Sequence, residues 1–567
     1  IEGLQRAGVK TMFGLPGGTV LDFFAKLAHA PMEFFLVRHE QGATHMADGY
    51  ARATGKAGVC LVTSGPGATN AVTGLATANM DGSPVVCISG QVPSPLIGND
   101  AFQEADTVGI TRAVTKHNYL VKNVDDLPRI MVEAFEIATS GKPGPVLVDV
   151  PKDIQQARCD LPFPTEMNRR GYRPENEPDA QDVERLARAI TTARRPVFLV
   201  GGGVISGDAT AEFTAVALKT GVPVVSTLMG LGAFPGNAAL ALGMIGMHGT
   251  VAANRAASAC DLIVSVGARF DDRVTGKVST FAPHALKGHI DIDPSAIGKS
   301  VQVDLPVVGH VKIVLRQLLE AVESVARPEW LAQVADWKET NPLTYDRASK
   351  ELLPQYVIEQ IAAVTHGDAL IVTDVGQHQM WAAHFYPYSK PRSFITSGGL
   401  GTMGFGLPAA IGVKAARRDQ PVVLISGDGS IQMNFQELVV AVEHDLPIVV
   451  VILNNGYLGM VRQWQELFYK REYSGVRLGR DARHTNERIS ATIQAAGPYR
   501  PDFVKLAEAH GAMGIRVTRQ EEVAPALVKA LNAGLPVVVE CIVRAEENVY
   551  PIVPPGKALS ELLQGLA

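Results

Sequence analysis

Residues 421–456 read PVVLISGDGSIQMNFQELVVAVEHDLPIVVVILNNG. The β-branched runs 421–425 and 447–453 predict two strands. Between them Ile431, Phe435, Leu438, Val439 and Val442 recur at helical spacing. Asn434 and Glu437 fit a capping-box start, so a helix is expected from about 434 until Asp445-Leu-Pro447 ends it. Strand, helix and parallel strand bring both following turns to one carboxyl edge of a sheet. Asp428 in Gly427-Asp-Gly429 and Asn455 in Asn454-Asn-Gly456 should therefore converge. One carboxylate, one amide oxygen and nearby carbonyls make an oxygen-only donor set. That suits Mg2+, which takes few protein ligands and fills its remaining positions with water or phosphate oxygens. The bare Gly427 and Gly429 let a diphosphate come close to the main chain. Taken alone, the same residues also fit two ordinary strand-to-helix turns.

Short β-branched runs alternate with helical patterns along nearly the whole chain, which predicts an α/β protein of mostly parallel, doubly wound sheets. Near the N-terminus the pattern of 421–456 recurs. A strand at 58–63 is followed by the turn Ser64-Gly-Pro-Gly67, a helix from about 68, a strand at 84–88 and the turn Gly90-Gln91. The middle third has strands at 196–200, ending in Gly201-Gly-Gly203, and at 262–266, ending in Gly267. Polar, proline-containing stretches at 163–181 and 327–348 read as linkers. They divide the chain into expected domains at 1–165, 180–328 and 349–567.

A length of 567 residues is consistent with that count. Charged residues make up 19% and the formal net charge is −5, which argues against nucleic acid as a partner. The longest apolar run, 446–453, is far below the roughly 20 residues of a membrane-spanning helix. Five dispersed cysteines form no C-x-x-C pair, which suggests reduced thiols and offers no zinc site. His39-Glu40 lacks the second histidine of a zinc-protease helix, since position 43 is Ala43. Gly399-Leu-Gly401-Thr-Met-Gly404 matches G-x-G-x-x-G, but a dinucleotide site wants an acid about 20 residues later, where Leu424 stands. Glu40, after a strand and opening a helix, is by itself ordinary helix-dipole chemistry.

Gly427-Asp-Gly-Ser430 followed by Asn454-Asn-Gly456 resembles the thiamin diphosphate motif, and the likeness to thiamin-dependent 2-oxo-acid enzymes extends over nearly the whole chain. The resemblance implies Mg2+ held by Asp428, Asn455 and the Tyr457 carbonyl. It places thiamin diphosphate against Gln377, His378, Gly401, Met403, Gly429, Ser430, Gly459 and Met460. Arg38-His-Glu40-Gln-Gly-Ala43 matches the segment whose glutamate meets the pyrimidine ring, and Met403 matches the residue that bends the cofactor. The segments Ser64–Asn70, Asp100–Glu104, Val148–Asp153, Gly246–Gly249, Ala268–Arg273 and Gly459–Trp464 are similar to the catalytic subunits of the acetohydroxyacid synthase (acetolactate synthase) family. That family decarboxylates pyruvate and joins the two-carbon unit to pyruvate or 2-oxobutanoate. Arg273 then matches the residue for the second acid's carboxylate, and Trp464 the position favouring 2-oxobutanoate. Phe102, Gln103, Lys152 and Met247 match other active-site positions.

Members with this Arg269-Phe-Asp-Asp-Arg273 segment bind FAD. The resemblance places it at Lys142, Gly201, Gly202, Gly203, Gly246, Met247, His248, Gly267, Arg269, Asp271, Arg273, Asp291 and Ile292. Lys142 stands where relatives often carry arginine, the 479–500 stretch looks longer than theirs, and Pro555 replaces a serine found in some. A homodimer or homotetramer is implied, together with a possible small regulatory subunit. The expected location is bacterial-type cytoplasm, although the chain opens on Ile1 and not on Met, which leaves room for an organelle leader. Two alternatives stay open at this point: a pyruvate oxidase or decarboxylase-like enzyme, and a catalytically silent thiamin-fold scaffold.

Overall fold

The computed structural model describes residues 1–166, 171, 172, 174, 176–479 and 499–565. All but the ends of the 479–500 stretch lie outside the described residues. The first sheet holds β1 (Thr11–Gly14), β2 (Glu33–Leu36), β3 (Gly58–Val62), β4 (Val85–Gln91), β5 (His117–Leu120) and β6 (Val146–Pro151). The second holds β7 (Pro196–Val200), β8 (Val224–Ser226), β9 (Ala241–Met244), β10 (Leu262–Val266), β11 (Leu286–Asp291) and β12 (Leu305–Val308). The third holds β13 (Leu370–Thr373), β14 (Phe394–Ile395), β15 (Val422–Gly427), β16 (Ile448–Asn454), β17 (Met513–Val517) and β18 (Val537–Ile542). Every strand pairing within the three sheets is parallel. The apolar runs of β4, β6, β15 and β16 follow from this, because helices cover both faces and the strands are buried but for Gly427 at the end of β15.

The outer sheets have the orders β2-β1-β3-β4-β6-β5 and β14-β13-β15-β16-β18-β17. These are one topology written twice, so the echo between 58–91 and 421–456 extends across the whole sheet. The two outer domains share a core in which the helix Glu40–Thr54 crosses the helix Gly406–Ala416. The crossing is close because glycines stand at it. A Cβ on Gly412 would lie 2.0 Å from the Met46 carbonyl oxygen, and one on Gly49 would lie 2.3 Å from that of Ala409.

Two local expectations are corrected. The helix expected from 434 is two 3-10 turns, Ile431–Met433 and Phe435–Glu437, before a short helix Leu438–Glu443. Asn434 Nδ2 donates to the Gly404 carbonyl, and the buried Glu437 carboxylate accepts the Arg38 N–H at 3.1 Å on both oxygens. Tertiary partners have taken the side chains that a capping box would use. The 327–348 stretch contains the helix Pro328–Thr340, for which Pro328 is a compatible first residue. Trp330 and Val334 pack it into the central domain's core, and Trp330 Nε1 donates to the Pro196 carbonyl at 3.0 Å.

Candidate active site

The register Gly427↔Leu453 sets the ends of β15 and β16 side by side, as the spacing predicts. Asp428 and Asn455 meet there: the Gly456 N–H donates to Asp428 Oδ2 at 3.0 Å, and the Tyr457 N–H donates to Asn455 Oδ1 at 3.0 Å. A cavity of about 60 Å3 is lined by Gly376, Gln377, His378, Met403, Gly427–Ser430, Asn455, Tyr457, Gly459 and Met460. Burial pushes the Asp428 carboxyl up to about 7 against the main-chain N–H groups around it. A buried carboxylate beside an amide oxygen and the main-chain carbonyls of the same turns is a donor set that a hard divalent cation satisfies. Burial also pushes His378 down to about 3, so its ring is neutral, and its Nε2 has no partner among the described residues. Both side-chain hydrogens of Gln377 are engaged within the protein, at Gln463 Oε1 and the Glu547 carbonyl. Gln377 opens the helix Gln377–Phe385, so its main-chain N–H is the group that remains for a phosphate.

A second cavity, of about 1000 Å3, lies among all three domains. Gly202, Gly203, Met247, His248, Gly267, Arg269, Asp271, Arg273, Asp291 and Ile292 line it from the centre, Lys142 from the N-terminal domain, and Gly401, Met403, Met460 and Trp464 from the C-terminal domain. Gly201 and Gly246 do not line it. They sit behind it, where a Cβ would meet the Gly267 and Arg273 carbonyl oxygens at 2.3 and 2.0 Å. His248 Nδ1 is buried without a partner among the described residues. Val375, Gly376, Met403, Met460 and Val461 wall both cavities. At the mouth, the Arg273 guanidinium lies 5.7 Å from the Trp464 ring centroid and donates to Met247 Sδ at 3.3 Å. The structure thus brings together Met247, Arg273, Met403 and Trp464 from two domains.

Glu40, Phe102, Gln103 and Lys152 line neither cavity. They belong to the carboxyl edge of the first sheet. Glu40 is buried and its Oε2 accepts from Asn70 Nδ2 at 2.9 Å. Lys152 Nζ donates to the Gly18 carbonyl at 3.2 Å. Phe102 is 88% exposed, at the tip of a loop whose Gln103 has φ +58°.

Sequence reasoning missed the residues that hold that loop. Asp153 accepts from the Ser94 N–H and Oγ, and Glu104 from the Ala101 N–H. Gln91 Nε2 bridges the Ala105 carbonyl and Asp149 Oδ2, while Ser89 Oγ donates to Asp149 Oδ1 at 2.6 Å. Asp81 was missed too. It accepts the Gly398 and Gly399 N–H groups and pairs with Arg52, which fixes the segment leading to Gly401 and Met403. Glu104, Asp149 and Asp153 lie in segments that carry the family likeness, but the sequence does not show which groups they bond to; Asp81 has no such segment around it.

Family models match the chain in three places. The N-terminal thiamine pyrophosphate binding domain matches residues 1–110, the central domain of those enzymes 183–318, and the C-terminal thiamine pyrophosphate binding domain 374–541. The acetolactate synthase of Mycobacterium bovis is 49% identical over 99% of this chain and 90% of its own length. The chain belongs to the acetolactate synthase family of thiamine pyrophosphate enzymes. Two further relatives are the large subunit of Corynebacterium glutamicum, 48% identical over 100% of this chain and 89% of its own, and the isozyme 3 large subunit of Escherichia coli, 47% identical over 99% and 97%. In this acetolactate synthase family member the thiamin diphosphate binding domains are the two outer sheets of equal topology. The small cavity lies at the carboxyl edge of one, and Glu40 at the carboxyl edge of the other. Among the described residues, no helix is long and apolar enough to cross a membrane.

Proposed function

We propose that this enzyme decarboxylates pyruvate and joins the two-carbon unit to a second 2-oxo acid, the first common step of branched-chain amino-acid synthesis. Pyruvate as acceptor gives 2-acetolactate, and 2-oxobutanoate gives 2-aceto-2-hydroxybutanoate. The observation that carries this reading is the convergence of Arg273, Met247 and Trp464 on the large cavity, which shares a wall with the small one. Thiamin diphosphate supplies the electron sink when bound. Asp428, Asn455 and the Tyr457 carbonyl would hold Mg2+. The N-terminus of the helix Gln377–Phe385 and His378 Nε2 would meet the phosphates. Asn70 fixes one oxygen of Glu40, which leaves the other to hold or release a proton at the pyrimidine ring. The Arg273 fork would hold the second acid's carboxylate, and the Trp464 ring would give its extra methyl an apolar contact. A single methylene is worth about 1–3 kcal/mol in such a pocket, so preference for 2-oxobutanoate is graded.

The large cavity, with its bare glycines and unpartnered His248 Nδ1, would hold FAD. There Lys142 offers a point charge in place of a planar fork. Glu40 and the exposed Phe102 stand away from both cavities of their own chain, which supports a homodimer or homotetramer whose sites are completed by a second copy. Pro555 and any small regulatory subunit would affect control and not the chemistry.

The test is product analysis with Mg2+, thiamin diphosphate, FAD and a mixture of pyruvate and 2-oxobutanoate. Acetolactate and acetohydroxybutanoate are expected, with activity lowered at least 100-fold in Glu40→Gln. Acetaldehyde or acetate as main product would overturn the carboligase reading and leave the cofactor site standing.

A further inference from the structure

Asn455 can serve a cation only through its oxygen, and the two ends of a carboxamide differ little in shape. What fixes the orientation of Asn455 can be followed through three buried amides. The Val549 peptide offers one donor and one acceptor to Gln463: its N–H donates to Gln463 Oε1 at 2.9 Å, and its carbonyl accepts from Gln463 Nε2 at 2.9 Å. Only one orientation of Gln463 satisfies both. Gln377 then faces two acceptors, Gln463 Oε1 at 2.9 Å and the Glu547 carbonyl at 3.0 Å, so nitrogen must be the end it turns to them. Its oxygen is thereby left for Asn455 Nδ2, at 3.3 Å. Asn455 in turn can only direct Oδ1 toward the Tyr457 N–H and the space beside Asp428. Gln463 is fully buried, with Gln377 and Asn455 4% and 6% exposed, so water is poorly placed to substitute for a missing partner. Gly459 packs against the same junction. A Cβ there would lie 2.0 Å from Gln377 Oε1 and 2.7 Å from Asn455 Nδ2.

We infer that Gln463 is a positioning residue for the metal site: it carries the polarity of the 547–549 main chain through Gln377 to Asn455, so that Asn455 presents oxygen to the cation. This rests on the reading of Asp428, Asn455 and Tyr457 as Mg2+ ligands. It gives Gly459 a second role, as the gap in which the Gln377 and Asn455 amides meet.

The experiment is calorimetric titration of Mg2+ into the FAD-loaded protein at fixed thiamin diphosphate, for the parent, Gln463→Met, Gln463→Glu and Gly459→Ala. Gln463→Met keeps the length and removes the polarity. Its Mg2+ dissociation constant should rise on the order of 10- to 100-fold, with flavin content unchanged. Gln463→Glu, protonated on the oxygen that faces the Val549 carbonyl, donates there, still accepts from the Val549 N–H and from Gln377, and should stay within about threefold of the parent, because Gln377 keeps both of its acceptors. Gly459→Ala should weaken Mg2+ as Gln463→Met does, and it carries the test if Gln463→Met fails to fold. Unchanged Mg2+ affinity in Gln463→Met or in Gly459→Ala would overturn the inference, as would equal losses in the Met and Glu variants. Failure of the parent itself to bind Mg2+ would instead overturn the metal-site reading on which the inference rests.

Discussion

A carboxylate with no cation beside it is costly to bury, and Asp149 shows what it is kept for. Burial pushes its carboxyl up to about 7, with the hydrogen bonds of Ser89 and Gln91 opposing and Asp106 adding to the rise. Between the unfolded value near 4 and the folded value near 7, the folded chain holds a proton that the unfolded chain has lost. Stability contributed by this group therefore falls as pH rises through that window. Asn at 149 does not ionise, accepts from Gln91 and donates to Ser89 Oγ. The melting temperature of Asp149→Asn relative to the parent should improve by about 2–4 °C between pH 5 and pH 8, measured by thermal unfolding. A difference that does not change with pH would assign the carboxylate no titrating role. Of the groups in the site, those with a local signature were legible: Asp428 between glycines, Asn455 after a strand, and Trp464 in a distinctive segment. Asp149, Asp81 and Gln463 were not. Their roles come from partners that the fold supplies: Asp149 and Gln463 stand in segments that carry the family likeness, yet nothing local says what either side chain bonds to.

At the scale of elements, the crossing of Glu40–Thr54 on Gly406–Ala416 depends on what is missing from its glycines. Since a Cβ on Gly412 would sit 2.0 Å from a main-chain oxygen, no rotamer change relieves it. Gly412→Ala should lower stability by about 1–3 kcal/mol, read as a drop in the denaturation midpoint. An unchanged midpoint would mean that the helices separate freely. Five of the six strands read from the sequence were legible to within two residues, because a buried parallel strand reads as an apolar run; the sixth, β4, continues three residues further through Gly90-Gln91, which the sequence reads as a turn but which pairs with Val150 and Pro151 of β6. The helix after Asp428 was misread because periodicity records which side chains face inward. It does not record that Asn434 and Glu437 are bonded to Gly404 and Arg38. The helix Pro328–Thr340 was hidden for the opposite reason: proline reads as a breaker until its place at a first turn is known.

For the molecule as a whole, the repeated sheet order means that one chain carries two complementary carboxyl edges, with Glu40 on the first and Asp428 with Asn455 on the third. If each working site takes one edge from each of two copies, Glu40→Gln and Asp428→Asn are separately inactive but complement each other. Random mixing makes half of all dimers mixed, each with one intact site, so co-refolded protein should recover about a quarter of parental activity. No recovery in demonstrably mixed dimers would place both edges of a site in one chain.

The wall formed by Val375, Gly376, Met403, Met460 and Val461 has one further consequence. It is a common boundary, so if an occupant on one side orders it, the other occupant finds that ordering already done. Thermodynamic reciprocity then requires each ligand to change the other's affinity by a single shared factor, whichever arrives first.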